Sequence, residues 1–119
     1  MNLQTEQTGD LTINKIRQIF PRENPADVLK ILELYGANGE PEIPRVRLAC
    51  LKLCGGDSNK LLEMIDAAKQ DYRDVLAWAE FPNQLQTSAA ELAAMPSDAA
   101  SEIRERDRRQ HLAWLRSEK

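Results

Sequence analysis

Few side chains in this sequence are of a type and spacing that could do chemistry. Cys50, Cys54 and His111 are the only soft metal ligands. A zinc site takes four protein ligands, or three with an open position. Two cysteines four residues apart and one distant histidine fall short of that pattern, so no metal is expected. Asp71, Asp74, Asp107 and His111 form the one set that could support acid–base work, with Glu80 able to join them. Such work needs burial to raise one carboxyl pKa. Helix capping, or ion pairing with Arg73, accounts for Asp71 and Asp74 more simply. No nucleophile elbow, phosphate loop or H-E-x-x-H pattern is present. No catalytic residue and no cofactor is therefore assigned.

The strongest candidate for a site lies near the C-terminus. Ala100, Ile103, Asp107, Gln110 and Trp114 fall on one helical face. Asp107 and Gln110 are polar residues inside an otherwise apolar stripe. A buried carboxylate needs a partner or must be neutral. The donors expected on the neighbouring helix are the Tyr72 hydroxyl, the Arg73 guanidinium and the Trp78 indole N–H. Arg73 is the best match, since a bidentate pair satisfies both carboxylate oxygens. Asp107, Gln110, Arg73, Tyr72 and Trp78 thus make the candidate binding site. The run EIRERDRRQ is rich in arginine, but Glu102, Glu105 and Asp107 interleave with Arg104, Arg106, Arg108 and Arg109. Pairs such as Glu102–Arg106 and Glu105–Arg109 describe a solvated helix face, and nucleic-acid binding is not expected.

Helices must position these groups. Ile13, Ile16 and Phe20 share a face in a short helix over 11–20, ended by Pro21. Asn24 before Pro25 is an N-cap followed by a favourable first helical residue. Val28, Ile31, Leu32 and Tyr35 continue that helix to Gly36. A helix from Pro44 to Cys54 carries Val46, Ala49, Cys50 and Leu53 on one face and Leu48 and Leu51 nearly opposite. A helix apolar on two sides is either central in a bundle or covered by another chain. Asp57 caps the next segment, whose stripe of Leu61, Met64, Ile65, Ala68, Tyr72, Val75, Leu76 and Ala79 stays in phase. That continuity predicts one helix over Ser58–Glu80; the alternative breaks it near Gln70, with Asp71 as a fresh N-cap. An Ala-rich connector precedes Pro96, and the last helix spans Ser97–Arg116. Trp78 lies off the stripe, where it either fills a second core contact or anchors a partner.

The spacing predicts an all-α fold, a compact bundle of four to six helices, with residues 1–10 as a flexible arm and 11–119 as a single helical domain. The chain has 119 residues, 42% hydrophobic and 29% charged, which places it with ordinary globular domains rather than disordered or membrane chains. Its formal net charge of −3 gives no attraction to nucleic acid or anionic lipid. MNLQTEQTGD lacks the basic start and apolar run of a secretory signal. Two cysteines at helical i, i+4 spacing run side by side, so they are expected reduced and buried in a cytoplasmic protein with no membrane partner.

Two blocks carry a resemblance. RVRLACLKLCGGD leads into DYRDVLAWAEFP, and the C-terminal helix holds Asp107, Arg108, Gln110, His111, Trp114 and Leu115. This resembles a domain-of-unknown-function family of small bacterial proteins. The family's features are V-x-L-A-x-L-K-L, D-Y-R-D-V-L-A-x-A-E-[YF]-P and a terminal D-R-x-Q-Y-x-x-W-L. His111 stands where that pattern has tyrosine. The likeness covers the last two thirds of the chain; it implies a helical fold and no activity.

The function expected is that of a small non-enzymatic protein-interaction or scaffold module, with Leu48, Leu51 and Trp78 as candidate contacts for a partner or a second copy. The alternative is a small enzyme or ligand-binding protein using Asp71, Asp74, Asp107 and His111.

Overall fold

The computed structural model describes residues 3–117, with side chains from Leu11 onward, Ala89 excepted. Among the described residues the chain is all-α, with eight helices and no strand. They are α1 (Leu3–Ile19), α2 (Pro25–Leu32), α3 (Ile43–Cys54), α4 (Ser58–Gln70), α5 (Tyr72–Glu80), α6 (Pro82–Gln86), α7 (Ala89–Ala94) and α8 (Ser97–Arg116). The count exceeds six because one predicted helix divides and the Ala-rich connector forms two short ones. Residues 3–10, read from the sequence as part of an arm, continue α1 in helical conformation; Met1 and Asn2 lie outside the described residues. No described helix is long and apolar enough to cross a membrane.

The centre of the molecule is α3, which packs against α1, α4 and α5. Both of its apolar faces are therefore covered by its own chain. Val46, Ala49, Cys50 and Leu51 are fully buried and Leu48 nearly so. Leu48 and Leu51 thus need no second copy to shield them. The two-sided pattern reflects a central position, which corrects their candidacy as partner contacts. Gly55, in left-handed conformation, ends α3. At Gly56 (φ 88°) the backbone carbonyl of Ile19 comes so close that a Cβ would sit 2.9 Å from it. Only glycine fits there, and this contact seats the end of α1 on the α3–α4 turn.

The long stripe breaks at Asp71, as the alternative reading had it. Asp71 is extended (φ −157°, ψ 102°); its N–H closes α4 on Ala67 and its carboxylate accepts from Arg73 N to start α5. The stripe nevertheless stays inward. Leu61, Met64, Ile65, Ala68, Val75, Leu76 and Ala79 are all buried. One extended residue redirects the helix axis while both segments keep the same face on α3. Each fully buried Leu or Ile there contributes roughly 1.5–3 kcal/mol.

The helix after Asn24 ends at Leu32, short of Tyr35, and continues as turns. Tyr35 is still fully buried, with its hydroxyl donating to Pro41 O at 2.6 Å. The last helix has the predicted bounds. It buries little: among the described residues only Ala100 and Asp107 are buried on it, while Trp114 and Leu115 are partly buried against the core.

Candidate functional site

Polar side chains, rather than apolar burial, attach α8 to the rest. Asp107 is completely buried, and its two oxygens accept from Asn83 N (2.8 Å) and Gln84 N (3.0 Å). These are backbone donors in the first turn of α6, which has no local cap: Phe81 occupies the N-cap position and Pro82 follows. The first N–H groups of a helix have no partner within it. Asp107 supplies one from another helix, placing a carboxylate where the helix dipole favours negative charge.

One turn further on, Gln110 reaches the opposite kind of terminus. Its Nε2 donates to Ala79 O (3.2 Å), more weakly to Glu80 O (3.4 Å), and to Asp107 O (3.1 Å). Ala79 O also accepts from Lys52 Nζ at 2.6 Å. Lys52 donates further to Gln110 Oε1 (2.7 Å) and approaches His111 Nδ1 at 3.2 Å. An ammonium has three protons and no lone pair, so all three are engaged. Burial lowers the Lys52 pKa, opposed by the charges of Glu80 and Asp107.

A second lysine repeats the device. Lys15 on α1 is almost completely buried. It donates to Trp114 O, to Ser117 O (2.9 Å) and to Gln18 Oε1 (3.1 Å), capping the C-terminal end of α8. Its ammonium lies 4.7 Å from the centre of the Trp114 ring, and that of Lys52 lies 5.7 Å from it. Trp114 is therefore within cation–π reach of both. His111 stacks on the same ring, with centroids 6.0 Å apart.

The imidazole of His111 lies between charges. With Nδ1 accepting from Lys52, its proton resides on Nε2, 3.8 Å from Glu80 Oε2. Burial first, then the Lys52 ammonium, hold the His111 pKa below the ordinary histidine value, against the pull of Glu80. Glu80 is itself gripped bidentately by Arg45, with Nε to Oε2 at 2.8 Å and Nη2 to Oε1. That pairing raises the Arg45 pKa. Among the described residues no buried side-chain nitrogen or oxygen lacks a hydrogen-bond partner.

Of the sequence candidates, Asp107 and Gln110 meet here. The expected Arg73–Asp107 pair is absent: Arg73 folds back on Asp71 (3.0 and 3.1 Å) and both are at the surface. That bond lowers the Asp71 pKa and raises that of Arg73. Tyr72 is half-buried against the core, and Trp78 is 43% exposed, so neither serves Asp107. Asp71 and Asp74 do not join Asp107 and His111. Asp71 lies at the N-terminal end of α5, whereas Asp107 binds beyond its C-terminal end, roughly 15 Å along the axis. No three of the described His, Cys, Asp and Glu residues are arranged to hold a metal ion. Cys50 and Cys54 are buried thiols. Burial pushes Cys50 up to about 12 and raises Cys54.

Sequence reasoning missed Lys15, Lys52 and Arg45. A signal existed for each. Thr12, Lys15, Ile16 and Ile19 fall at i, i+3, i+4, i+7, as do Arg45, Leu48, Ala49 and Lys52. A cation in phase with an apolar stripe marks a side chain that reaches a neighbouring helix, buried in the case of Lys15 and still half exposed in that of Arg45.

Two clefts flank the Glu80–His111 pair. One, of about 410 Å³, is walled by Pro44, Leu48 and Leu115; the other, of about 340 Å³, by Phe81, Gln84, Arg104 and Leu112. No protein-family model, curated protein or solved structure matches the chain.

Proposed function

We propose that the chain is a small, non-enzymatic protein-interaction module, belonging with the small bacterial proteins its two motifs resemble. The observation that carries this reading is the α5–α6 junction. Within eight residues, Trp78, Phe81 and Leu85 are 43%, 38% and 52% exposed. Large apolar groups gathered in this way are typical anchors for a partner. The junction is also held firmly from behind, with Lys52 and Gln110 on the end of α5 and Asp107 on the start of α6. A rigid ridge loses little conformational freedom on binding. The buried polar groups favour the same reading. The protons of Lys52 and the oxygens of Asp107 are committed to fixed partners, at the ends of α5 and α6 and on α8, which leaves them unsuited to turnover.

The test is capture from the native host with the full chain as bait, compared with a Trp78→Ser/Leu85→Ser double variant. A partner recovered in stoichiometric amount by the first and lost by the second, with unchanged circular dichroism, supports the module. Equal recovery by both, or no partner at all, counts against it.

A further inference from the structure

The groove beside the ridge carries a more specific reading. The two clefts share Glu80 and His111 and lie along one face of α8. From Arg104 to Leu115 that face runs about 16 Å. The volume of the cleft at Phe81, about 340 Å³, falls at the low end of the roughly 300–1,000 Å³ seen for ligand pockets. Phe81 and Leu112 give it apolar walls, and Arg104 and Arg108 line it as well.

Arg104 differs from the other arginines of its run. Arg106 pairs with Glu102, Arg108 with Glu105, and Arg109 with both. Arg104 has no ion pair among the described residues. Glu80, the carboxylate in the same cleft, is already bound by Arg45. An uncompensated guanidinium beside an apolar floor attracts a carboxylate that brings apolar surface with it.

We propose that the groove between α8 and the α5–α6 junction binds a peptide segment of a partner protein, with an acidic side chain beside large apolar ones. Arg104 takes the carboxylate, while Phe81 and Leu112 take the apolar neighbour. This rests on the interaction-module reading and names the chemistry of the partner. A peptide is favoured over a small acid because Phe81, a wall of the cleft, is itself one of the exposed apolar side chains of the α5–α6 junction, with Trp78 three residues before it and Leu85 four after. It is favoured over nucleic acid because Arg106, Arg108 and Arg109 are held in ion pairs with Glu102 and Glu105, which leaves one unpaired guanidinium rather than a row of them for a phosphate backbone.

The experiment is selection of a random twelve-residue phage library on the full chain, followed by fluorescence anisotropy with the selected peptides made synthetically. The expected result is enrichment of Asp or Glu within a few positions of Leu, Phe or Trp. Affinity should fall at least tenfold in Arg104→Glu and in Phe81→Ser, both surface changes that leave the circular dichroism intact, and should weaken with added salt. The proposal is overturned if no peptide is enriched, if enriched peptides lack acidic residues, or if Arg104→Glu binds them unchanged. Arg104-dependent binding of a mixed-sequence single-stranded oligonucleotide in place of peptides overturns it as well. Peptides sensitive to Trp78→Ser but indifferent to Arg104→Glu remove the groove and leave the module standing.

Discussion

Lys52 Nζ lies 3.2 Å from His111 Nδ1, and an ammonium can only donate, so the imidazole must accept. Protonation of His111 removes that acceptor and sets two cations against each other, with Arg45 adding to the repulsion and Glu80 opposing it. The folded-state pKa is lowered, so the unfolded chain binds this proton more readily. The contribution to stability is therefore complete above the ordinary histidine pKa and declines as pH falls below it. The urea midpoint should drop between about pH 7 and 5.5. In His111→Gln that part of the drop should vanish. An identical pH profile in the variant would show that His111 is not the group responsible.

Asp107 bridges α8 to two backbone N–H groups, and truncation leaves both partly buried without that partner. Asp107→Ala should cost about 3 kcal/mol, and Asp107→Asn, which keeps one acceptor, about 1–2 kcal/mol. Chemical denaturation measures both. Arg73→Ala should leave the midpoint unchanged, because its partner is surface Asp71. If Arg73→Ala destabilises as much as Asp107→Ala, the capping account is wrong.

Leu51 is fully buried within its own chain. Leu51→Glu should unfold the protein, seen as loss of helical circular dichroism, and Leu61→Ala should cost about 2–5 kcal/mol. A folded Leu51→Glu monomer formed from a wild-type oligomer would instead place Leu51 at an interface between chains.

Cys50 and Cys54 are shielded, and burial holds both thiols well above the range where thiolate forms at neutral pH. In native buffer at pH 7.5 neither should react with a disulfide reagent within minutes. Both should react at once in denaturant. Rapid labelling of one thiol in the native state would indicate local opening at the end of α3.

The helices that contain their own start signals were legible from sequence. Asn24–Pro25 and Asp57 open α2 and α4 as read, and α8 keeps its predicted limits because Pro96 precedes it. Asp107 was recognised as buried, yet its partner was not. A search through side-chain donors passes over backbone N–H groups, and those of α6 are unpaired because Phe81–Pro82 offers no cap. The clue was the missing cap. The break at Asp71 was hidden for a related reason, since one extended residue leaves the apolar phase intact. Lys15 and Lys52 were obscured because lysine usually marks the solvent side; here a long apolar stem carries the charge to carbonyls on helices far away in sequence. The phase of such a lysine marks it as turned inward, but with partners up to 102 residues away nothing local says which carbonyls it caps.

The polar attachment of α8 also sets an order of events in time. Lys15 finds Trp114 and Ser117 across 99 and 102 residues, whereas α3, α4 and α5 follow one another closely along the chain. Contacts that close such long loops form late. The carbonyls and N–H groups that α8 and Lys15 bind exist only once α5, α6 and α8 are themselves helical. The final helix is thus the last piece to dock and, with few buried apolar groups of its own, the first to come away. Its amides should exchange with solvent through an opening that leaves those of α3 protected.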